Sequence, residues 1–245
     1  MNKKQDLLIE IGTEELPPKS LKRLAPAFHR EICNSLKENG LAFSEASWLA
    51  TPRRLALIIN QLDINQADKQ QQRRGPAVSA AFDDDGKPTR ATEGFAKSCG
   101  VAVDQLDNMK TEKGSWLVFD TLVKGKQTQE LIPDMINIAL KRLPIAKRMR
   151  WGNNDFEFVR PIKWILLLLG TESIDCEIMG VKSGKHSYGH RFHHPESINI
   201  THASNYVEIL KQNGKVVADY NERCSLIKEQ IEKVATENNG IAVID

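Results

Sequence analysis

The fold is decided by the stretch Leu7-Leu8-Ile9-Glu10-Ile11-Gly12-Thr13-Glu14-Glu15-Leu16-Pro17-Pro18, where an apolar run meets two carboxylates and a double proline. Residues 6–12 are short, apolar and closed by a glycine, a pattern that predicts a strand. Pro17 and Pro18 fix φ and suit the first turn of a helix. We therefore expect Glu14 and Glu15 where a strand passes into a helix N-terminus.

Two successive parts of the chain share one order of predicted elements. In the first, strand 6–12 precedes a helix over 18–39, whose apolar residues recur every three or four positions, and two strands over 41–49 and 53–62. In the second, the predicted elements are a strand over 115–123, a helix over Thr128–Leu143, and strands over 158–169 and 173–182. A diverged duplication and a chance recurrence of a frequent β-α-β-β arrangement both explain this likeness.

We therefore predict an α/β (α+β) protein with two β-α-β-β, ferredoxin-like units, an irregular and helical connector between them, and a helical C-terminal segment. The connector begins with the polar, aperiodic residues 63–74, continues through a Gly-, Pro- and Asp-rich stretch over 75–90, and includes a short helix over Thr89–Ser98. The predicted domains are 1–66, 67–112, 113–200 and 201–245, the last expected to be cut from a longer chain.

Composition describes an ordinary globular protein of the cytoplasm. The chain has 245 residues, 40% of them hydrophobic, and a formal net charge of +2, so any nucleic-acid surface must be local. Its four cysteines form no C-x-x-C pair, which favours reduced thiols. The apolar run over 165–169 is too short to span a membrane and predicts a buried strand.

Two groups of residues are candidates for acid–base or metal chemistry. Glu14 and Glu15 form a carboxylate pair, but carboxylates at a helix N-terminus are also favoured by the helix dipole, and we prefer that reading. On a strand, His186, His190 and His194 would share one face, with His193 opposite. Because these histidines lack cysteine or carboxylate partners at ligand spacing, we expect no metal site, and a polar or phosphate-facing strip around Arg191 instead.

Basic residues form a local cluster after the proline that ends the second helix. Lys147, Arg148, Arg150 and Trp151 lie within five positions, and guanidinium groups with an indole favour contact with RNA. The alternative is that Arg148 and Arg150 cap the preceding helix or pair with acidic neighbours, Asp155 and Glu157. The same two readings apply to Arg53 and Arg54, and to Arg73-Arg74-Gly75.

Motifs of nucleotide activation are missing from the sequence. The glycines form neither G-x-G-x-x-G nor G-x-x-x-x-G-K-[ST], and no G-x-S-x-G occurs. We therefore predict no catalytic residues on this chain.

The sequence nevertheless contains a series of short motifs, in a fixed order, between Leu7 and Phe192. Together with the opening segment, it resembles the β subunit of the bacterial two-subunit glycyl-tRNA synthetase. The motifs after that segment are Thr51-Pro52-Arg53-Arg54-Leu55-Ala56-Leu57, Arg74-Gly75-Pro76-Ala77, Ala81-Phe82-Asp83, Gly86-Lys87-Pro88-Thr89, Gly94-Phe95-Ala96, Arg148-Met149-Arg150-Trp151-Gly152, Arg160-Pro161-Ile162 and Gly189-His190-Arg191-Phe192.

The resemblance implies a subunit of a ligase built from two α and two β subunits. In that family the α subunit activates glycine with ATP and magnesium, while the β subunit supports binding of the tRNA for glycine and glycyl transfer. The isolated chain would then be inactive. Two other hypotheses stay open: a stand-alone RNA-binding or scaffold module, and a hydrolase that uses Glu14, Glu15 and the His190 region.

Overall fold

The computed structural model describes residues 3–83, 85–112 and 114–244, which form a mixed α/β protein. Two compact units are present. One takes up the chain as far as Gln66 and again from Lys126 onward, and the other is Ala67–Gly125. The domain boundaries expected at 66, 112 and 200 stay a prediction.

The bounds of the elements are as follows. The helices are α1 (Pro18–Glu38), α2 (Arg90–Cys99), α3 (Thr128–Arg142), α4 (Tyr206–Gln212) and α5 (Tyr220–Glu237). The strands are β1 (Lys4–Thr13), β2 (Glu45–Thr51), β3 (Arg54–Asp63), β4 (Lys69–Ala77), β5 (Asp107–Thr111), β6 (Gly114–Val123), β7 (Met149–Arg150), β8 (Glu157–Phe158), β9 (Ile162–Leu169), β10 (Glu172–Ser173), β11 (Glu177–Ile178), β12 (Val181–Gly184), β13 (His186–Tyr188) and β14 (Ser197–Asn199).

The larger unit is built on a mixed sheet with the strand order β11-β12-β9-β1-β3-β2, to which β10 adds beside β9. The opening segment forms β1 at its centre, antiparallel to both β3 and β9. Ile9 pairs with Leu57 on one side and Leu167 on the other, so three apolar side chains form one row across the sheet. The predicted strand at 6–12 and helix at 18–39 are therefore confirmed.

Helices α1 and α3 cover the same face of this sheet. Alternate residues of β1, β3 and β9 point to that face, as the period of a strand requires. They pack on the apolar stripe of α1, where Leu24, Phe28 and Ile32 are fully or almost fully buried, and on α3. Each such side chain contributes about 1.5–3 kcal/mol by leaving water, so this layer is the main core.

The strand pairing corrects the prediction of two ferredoxin-like units. The strand expected to open the second unit is β6, and it pairs with β4 and β5 in a sheet of its own. The strand after α3 is β9, which completes the sheet begun by β1. One β-α-β-β-α-β arrangement, interrupted by residues 67–125, thus replaces two consecutive units. Local patterns identified the elements, but pairing depends on long-range contacts that a repeat of element order does not encode.

The smaller unit holds a strand where the sequence predicted a polar linker. Residues 69–74 belong to β4 and are exposed, with Gln70 paired to Leu122 and Arg73 to Phe119 of β6. Backbone hydrogen bonds hold this edge strand, so it needs no apolar alternation and the linker prediction was wrong. The short helix is confirmed as α2, which ends at Gly100 with a positive φ of 74°.

The second face of the main sheet is covered by the segment that follows β13. Leu8, Leu166 and Leu168 pack there against Ile200, Tyr206 and other buried residues of that segment. Gly12 lies on the same face, in a row between Arg54 of β3 and Trp164 of β9. A Cβ at Gly12 would lie 1.9 Å from the Trp164 ring, so only glycine admits the indole at this position.

Replacing Gly12 by alanine should therefore lower the free energy of unfolding by about 2–3 kcal/mol, because the indole must leave its place in a packed layer. Urea denaturation measures the change. Gly94→Ala is the matched control: it lies in α2 with no atom within 4 Å of the added Cβ, so stability should stay equal or rise. Equal stability of Gly12→Ala and the parent chain would contradict the packing described here.

Candidate functional site

A buried ion pair lies on the second face of the sheet, where β1 and β3 run side by side. Glu10 is 0% exposed and Arg54 is 2% exposed, and the Arg54 Nη1 atom lies 3.5 Å from Glu10 Oε1. The same carboxylate oxygen accepts hydrogen bonds of 2.9 Å from Trp164 Nε1 and Ser187 Oγ. Neighbours that donate to the charged carboxylate are what allow it to stay buried.

The Arg54 guanidinium ties the ends of several strands together. Its Nε donates to Thr51 Oγ1 at 3.1 Å, its Nη1 to Ser187 Oγ at 3.3 Å, and its Nη2 to the carbonyl oxygen of Tyr188. Strand β13 is thereby fixed beside the main sheet, although it lies more than 130 residues along the chain from Arg54. This pairing determines where the next loop, 189–192, begins.

Tyr206 closes the same cluster from α4. It is fully buried, and burial, followed by the negative charge of Glu10, raises the pKa of its hydroxyl well above the usual value. The hydroxyl lies near the ion pair, but it makes no hydrogen bond of standard geometry with any described residue. The phenol therefore remains neutral and adds an oriented dipole rather than a charge.

A second, exposed group of charges lies at the C-terminal end of β1. Arg191 Nη2 is 3.0 Å from Glu14 Oε2, and Arg191 Nη1 is 3.6 Å from Glu15 Oε1. Lys163 Nζ lies 3.4 Å from the other oxygen of Glu14. Each such exposed pair contributes at most about 1 kcal/mol, so these contacts order the side chains more than they stabilise the fold.

Arg53 is the cation of this group without a partner among the described residues. It occupies the two-residue turn between β2 and β3, and its guanidinium lies 5.5 Å from the centre of the Trp164 ring. Its Nε–H group is buried and donates to no acceptor in the described part of the chain. Burial, and then the positive charge of Arg191, lower the pKa of this guanidinium, against the opposing charge of Glu14. An anion at this point would relieve both effects.

These elements enclose a cleft of about 250 Å³, here called the arginine cleft. It lies between the β2–β3 turn, the loop 189–192 and the segment 215–217. Gly189 permits the close approach of the last two, because its Cβ would lie 2.7 Å from the carbonyl oxygen of Gly214. The lining residues are Glu15, Thr51, Pro52, Arg53, Arg54, Gly189, His190, Arg191, Phe192, Lys215, Val216, Val217 and Arg223.

The structure brings three of the predicted RNA-contacting residues, Arg53, Arg54 and Arg191, to this one cleft. They do not have equal roles. Arg54 is engaged inward by Glu10, whereas Arg53 and Arg191 face the cleft and its rim. The guanidinium groups of Arg53 and Arg54 lie 5.5 and 5.8 Å from the centre of the Trp164 ring, so the two residues share an aromatic neighbour and differ in their polar partners.

The other predicted basic loop, 147–151, is held by contacts within the chain. Arg148 donates to the carbonyl oxygen of Lys141 at 2.7 Å, and so caps α3. Arg150 lies 3.7 Å from Asp155 and 3.3 Å from Glu157. Trp151 packs partly against the main core. Lys147 lines a separate groove of about 370 Å³ and makes no ion pair or hydrogen bond with the described residues. The role of this loop in RNA binding stays a prediction.

The predicted histidine strand is replaced by a turn. β13 ends at Tyr188, and the amide of His194 donates to the carbonyl oxygen of His190 at 2.9 Å, which closes a turn. The rings of His190 and His193 approach to 4.5 Å. The amide of His190 also donates to the carbonyl oxygen of Gly214 at 2.7 Å, a tertiary contact that sequence spacing did not reveal. Among the described residues, no three His, Cys, Asp or Glu side chains are placed to hold a metal ion.

Four parts of this site were missed in the sequence. They are the inward role of Glu10, the indole of Trp164, the cations Lys163, Lys215 and Arg223, and the exposed Phe192 at the cleft. Only Glu10 carried a usable signal, since a carboxylate inside an apolar strand requires a buried partner. Within the described ranges, no helix has the length and apolar character needed to cross a bilayer.

Fold and site together define a mixed α/β protein with a cationic cleft at one end of its main sheet. The family model of the glycyl-tRNA synthetase beta subunit matches residues 7–245, so the chain belongs to that family. Relatives described as the glycine–tRNA ligase beta subunit include one from Hahella chejuensis, 50% identical over 241 residues, and one from Marinobacter nauticus, 50% identical over 242 residues. A third, from Shewanella baltica, is 48% identical over 241 residues. Each match covers 98% of this chain and 35% of the relative.

The chain thus spans about a third of the length of these relatives. Family membership confirms the resemblance seen in the motifs from Leu7 to Phe192.

The buried ion pair makes a direct prediction about stability. Arg54→Met should lower the free energy of unfolding by about 3–5 kcal/mol, because it leaves the Glu10 carboxylate buried without its cation. The double change Glu10→Leu with Arg54→Met should be less damaging than Arg54→Met alone, since no charge is then left unpaired. Glu232→Gln, which removes an exposed pair with Lys228 on α5, should change stability by less than about 0.5 kcal/mol. A loss below about 1 kcal/mol for Arg54→Met would rule out this ion pair.

Proposed function

We propose that this chain supports tRNA binding and glycyl transfer as part of the β subunit of glycine–tRNA ligase. The observation that carries the proposal is the arginine cleft, where Arg53, next to Arg191, has no anionic partner among the described residues. The chain also belongs to a family whose described members are ligase beta subunits. Guanidinium groups bind phosphate strongly and with defined geometry. The tRNA backbone supplies such phosphates, so this cleft is its contact surface.

The remaining parts of the reaction belong to the assembly. The α subunit activates glycine with ATP and magnesium, the assembly contains two α and two β subunits, and the substrate RNA is the tRNA for glycine. The proposed site of the ligase reaction is the cytoplasm. This chain carries no catalytic residue and no cofactor of its own in this proposal, in keeping with a sequence that lacks nucleotide-activating motifs.

We also infer that β1, α1, β2, β3, α3 and β9 form a single ferredoxin-like unit. The strand order β9-β1-β3-β2 with antiparallel neighbours, and two helices on one face, support this assignment. The cleft then lies on the opposite face from the helices, at the end of the two central strands.

The rival hypotheses have less support. A stand-alone RNA-binding or scaffold module does not account for about 50% identity to ligase beta subunits, and co-purification with the α subunit separates the two readings. A hydrolase that uses Glu14 and Glu15 would need those carboxylates free, whereas both pair with Arg191.

Arg53 provides the test of the cleft. In the assembled synthetase, Arg53→Gln should weaken tRNA binding and reduce the slope of log affinity against log salt by about one, because one phosphate contact is lost. The measurement is tRNA affinity at several salt concentrations.

Arg30→Gln is the control for Arg53→Gln, because Arg30 is an exposed cation of α1 whose one ion pair among the described residues is with its neighbour Glu31. It should leave affinity and slope unchanged. If Arg53→Gln behaves as Arg30→Gln does, the cleft does not contact the tRNA backbone.

The loop 147–151 requires a test that separates structure from RNA contact. Arg148→Ala should lower stability by about 1 kcal/mol through the lost cap of α3, whatever the loop binds. Lys147→Gln should instead leave thermal stability unchanged and reduce the salt slope of tRNA affinity by about one. An unchanged slope for Lys147→Gln would remove this loop from the proposed tRNA contact surface.

A further inference from the structure

We propose that the arginine cleft holds one unpaired nucleotide of an RNA strand, with its base against the apolar wall and its phosphate at Arg53, beside the Arg191 guanidinium that Glu14 and Glu15 engage. This inference rests on the proposed function, because it specifies which part of an RNA occupies the cleft. A phosphate contact alone would be satisfied by any stretch of backbone, paired or unpaired.

The shape of the cleft favours an unpaired residue. The cleft has a volume of about 250 Å³. It is concave and is bounded on three sides by the β2–β3 turn, the loop 189–192 and the segment 215–217. Small organic ligands occupy cavities of about 300–1,000 Å³, so a space of this size admits one nucleotide at most. A base-paired stem presents its phosphates on the outside and keeps its bases stacked, so it cannot fill such a space.

The walls suit a nucleobase. Pro52, Val216 and Val217 supply apolar surface, and Phe192 lines the same cleft. Phe192 is 81% exposed, although an aromatic ring gains most by leaving water. Single-stranded RNA is commonly recognised by bases that stack on aromatic side chains, and such stacking tolerates any base. A base that stacks on Phe192 would cover this ring.

Charged side chains surround the apolar wall. Arg53 has no acceptor among the described residues, and Arg223 uses its Nη1 to donate to the carbonyl of Val217 at 2.7 Å, which aims the guanidinium at the same segment. Lys215 adds a further cation. Glu15 is the carboxylate among the described lining residues; one of its oxygens pairs with Arg191, and the other can accept a hydrogen bond from a ribose hydroxyl. Apolar wall, cations and an acceptor match the base, phosphate and sugar of a ribonucleotide.

The experiment compares two RNAs on the assembled synthetase. One is a hairpin with a blunt stem, and the other is the same hairpin with a short single-stranded extension. Phe192→Ala should weaken binding of the extended hairpin about tenfold and leave the blunt hairpin unchanged, because only an unpaired base can stack on the ring. Phe156→Ala, which removes a partly exposed phenylalanine outside the cleft, should change neither affinity.

The outcomes separate this inference from the proposed function. If Arg53→Gln weakens both hairpins while Phe192→Ala changes neither, the cleft binds backbone phosphate and the assignment of an unpaired nucleotide is wrong. If neither variant changes any affinity, both proposals fail. Extensions with abasic residues should bind no better than the blunt hairpin.

A final arm distinguishes a strand from a free nucleotide. Adenosine monophosphate and inorganic phosphate are added as competitors of the extended hairpin. Weak competition by the nucleotide, stronger than by phosphate, supports a nucleotide within a strand. Saturation by adenosine monophosphate at micromolar concentration, with no gain from the RNA extension, would identify a free-nucleotide site and overturn the inference.

Discussion

The ion pair between Glu10 and Arg54 is the interaction on which the arrangement of the site depends. It joins the two central strands, β1 and β3, and through Trp164 and Ser187 it also holds β9 and β13. Because the Arg54 guanidinium binds the carbonyl of Tyr188, the loop that follows β13 starts at the end of the main sheet. This arrangement places Arg191 near Arg53, although 137 residues separate them in sequence.

Such a pair is a poor way to gain stability, because two charges lose their hydration when they are buried. Its value here is positional. An apolar pair of the same volume could fill this layer of side chains, but it would offer no hydrogen bonds to fix the position of β13. The pair also separates neighbouring arginines: Arg54 is neutralised within the layer, and Arg53 remains in the cleft without an acceptor among the described residues.

The sequence predicted those parts of the fold that are written in local patterns. The apolar run of β1, the stripe of α1, and α3 were found because their periods reflect one buried face. The edge strand β4 was missed because backbone pairing with β6 holds it while its side chains stay exposed. The assignment of β6 to a second β-α-β-β unit was wrong because the pairing of strands depends on contacts between residues that are distant in sequence.

The candidate site was only partly predictable for a similar reason. Arg53, Arg54 and Arg191 were predicted as candidate RNA-binding cations. No local sequence pattern indicated that Arg54 points inward or that Phe192 borders the same cleft. His186, His190 and His194 were assigned to one strand face because their spacing fits a strand, yet β13 ends at Tyr188 and a turn follows, in which the His190 amide binds the carbonyl oxygen of Gly214. Residue type indicated the chemistry, and tertiary contacts decided which residues can perform it.

The central claim is that tRNA binds at the end of the sheet that Glu10 and Arg54 organise. Amide hydrogen exchange of the assembled synthetase, measured with and without saturating tRNA for glycine, tests it most directly. We predict slower exchange in the segments 51–54 and 189–192 when tRNA is bound, because both border the arginine cleft. Unchanged exchange in both segments, with slowing confined to other regions of the assembly, would contradict it.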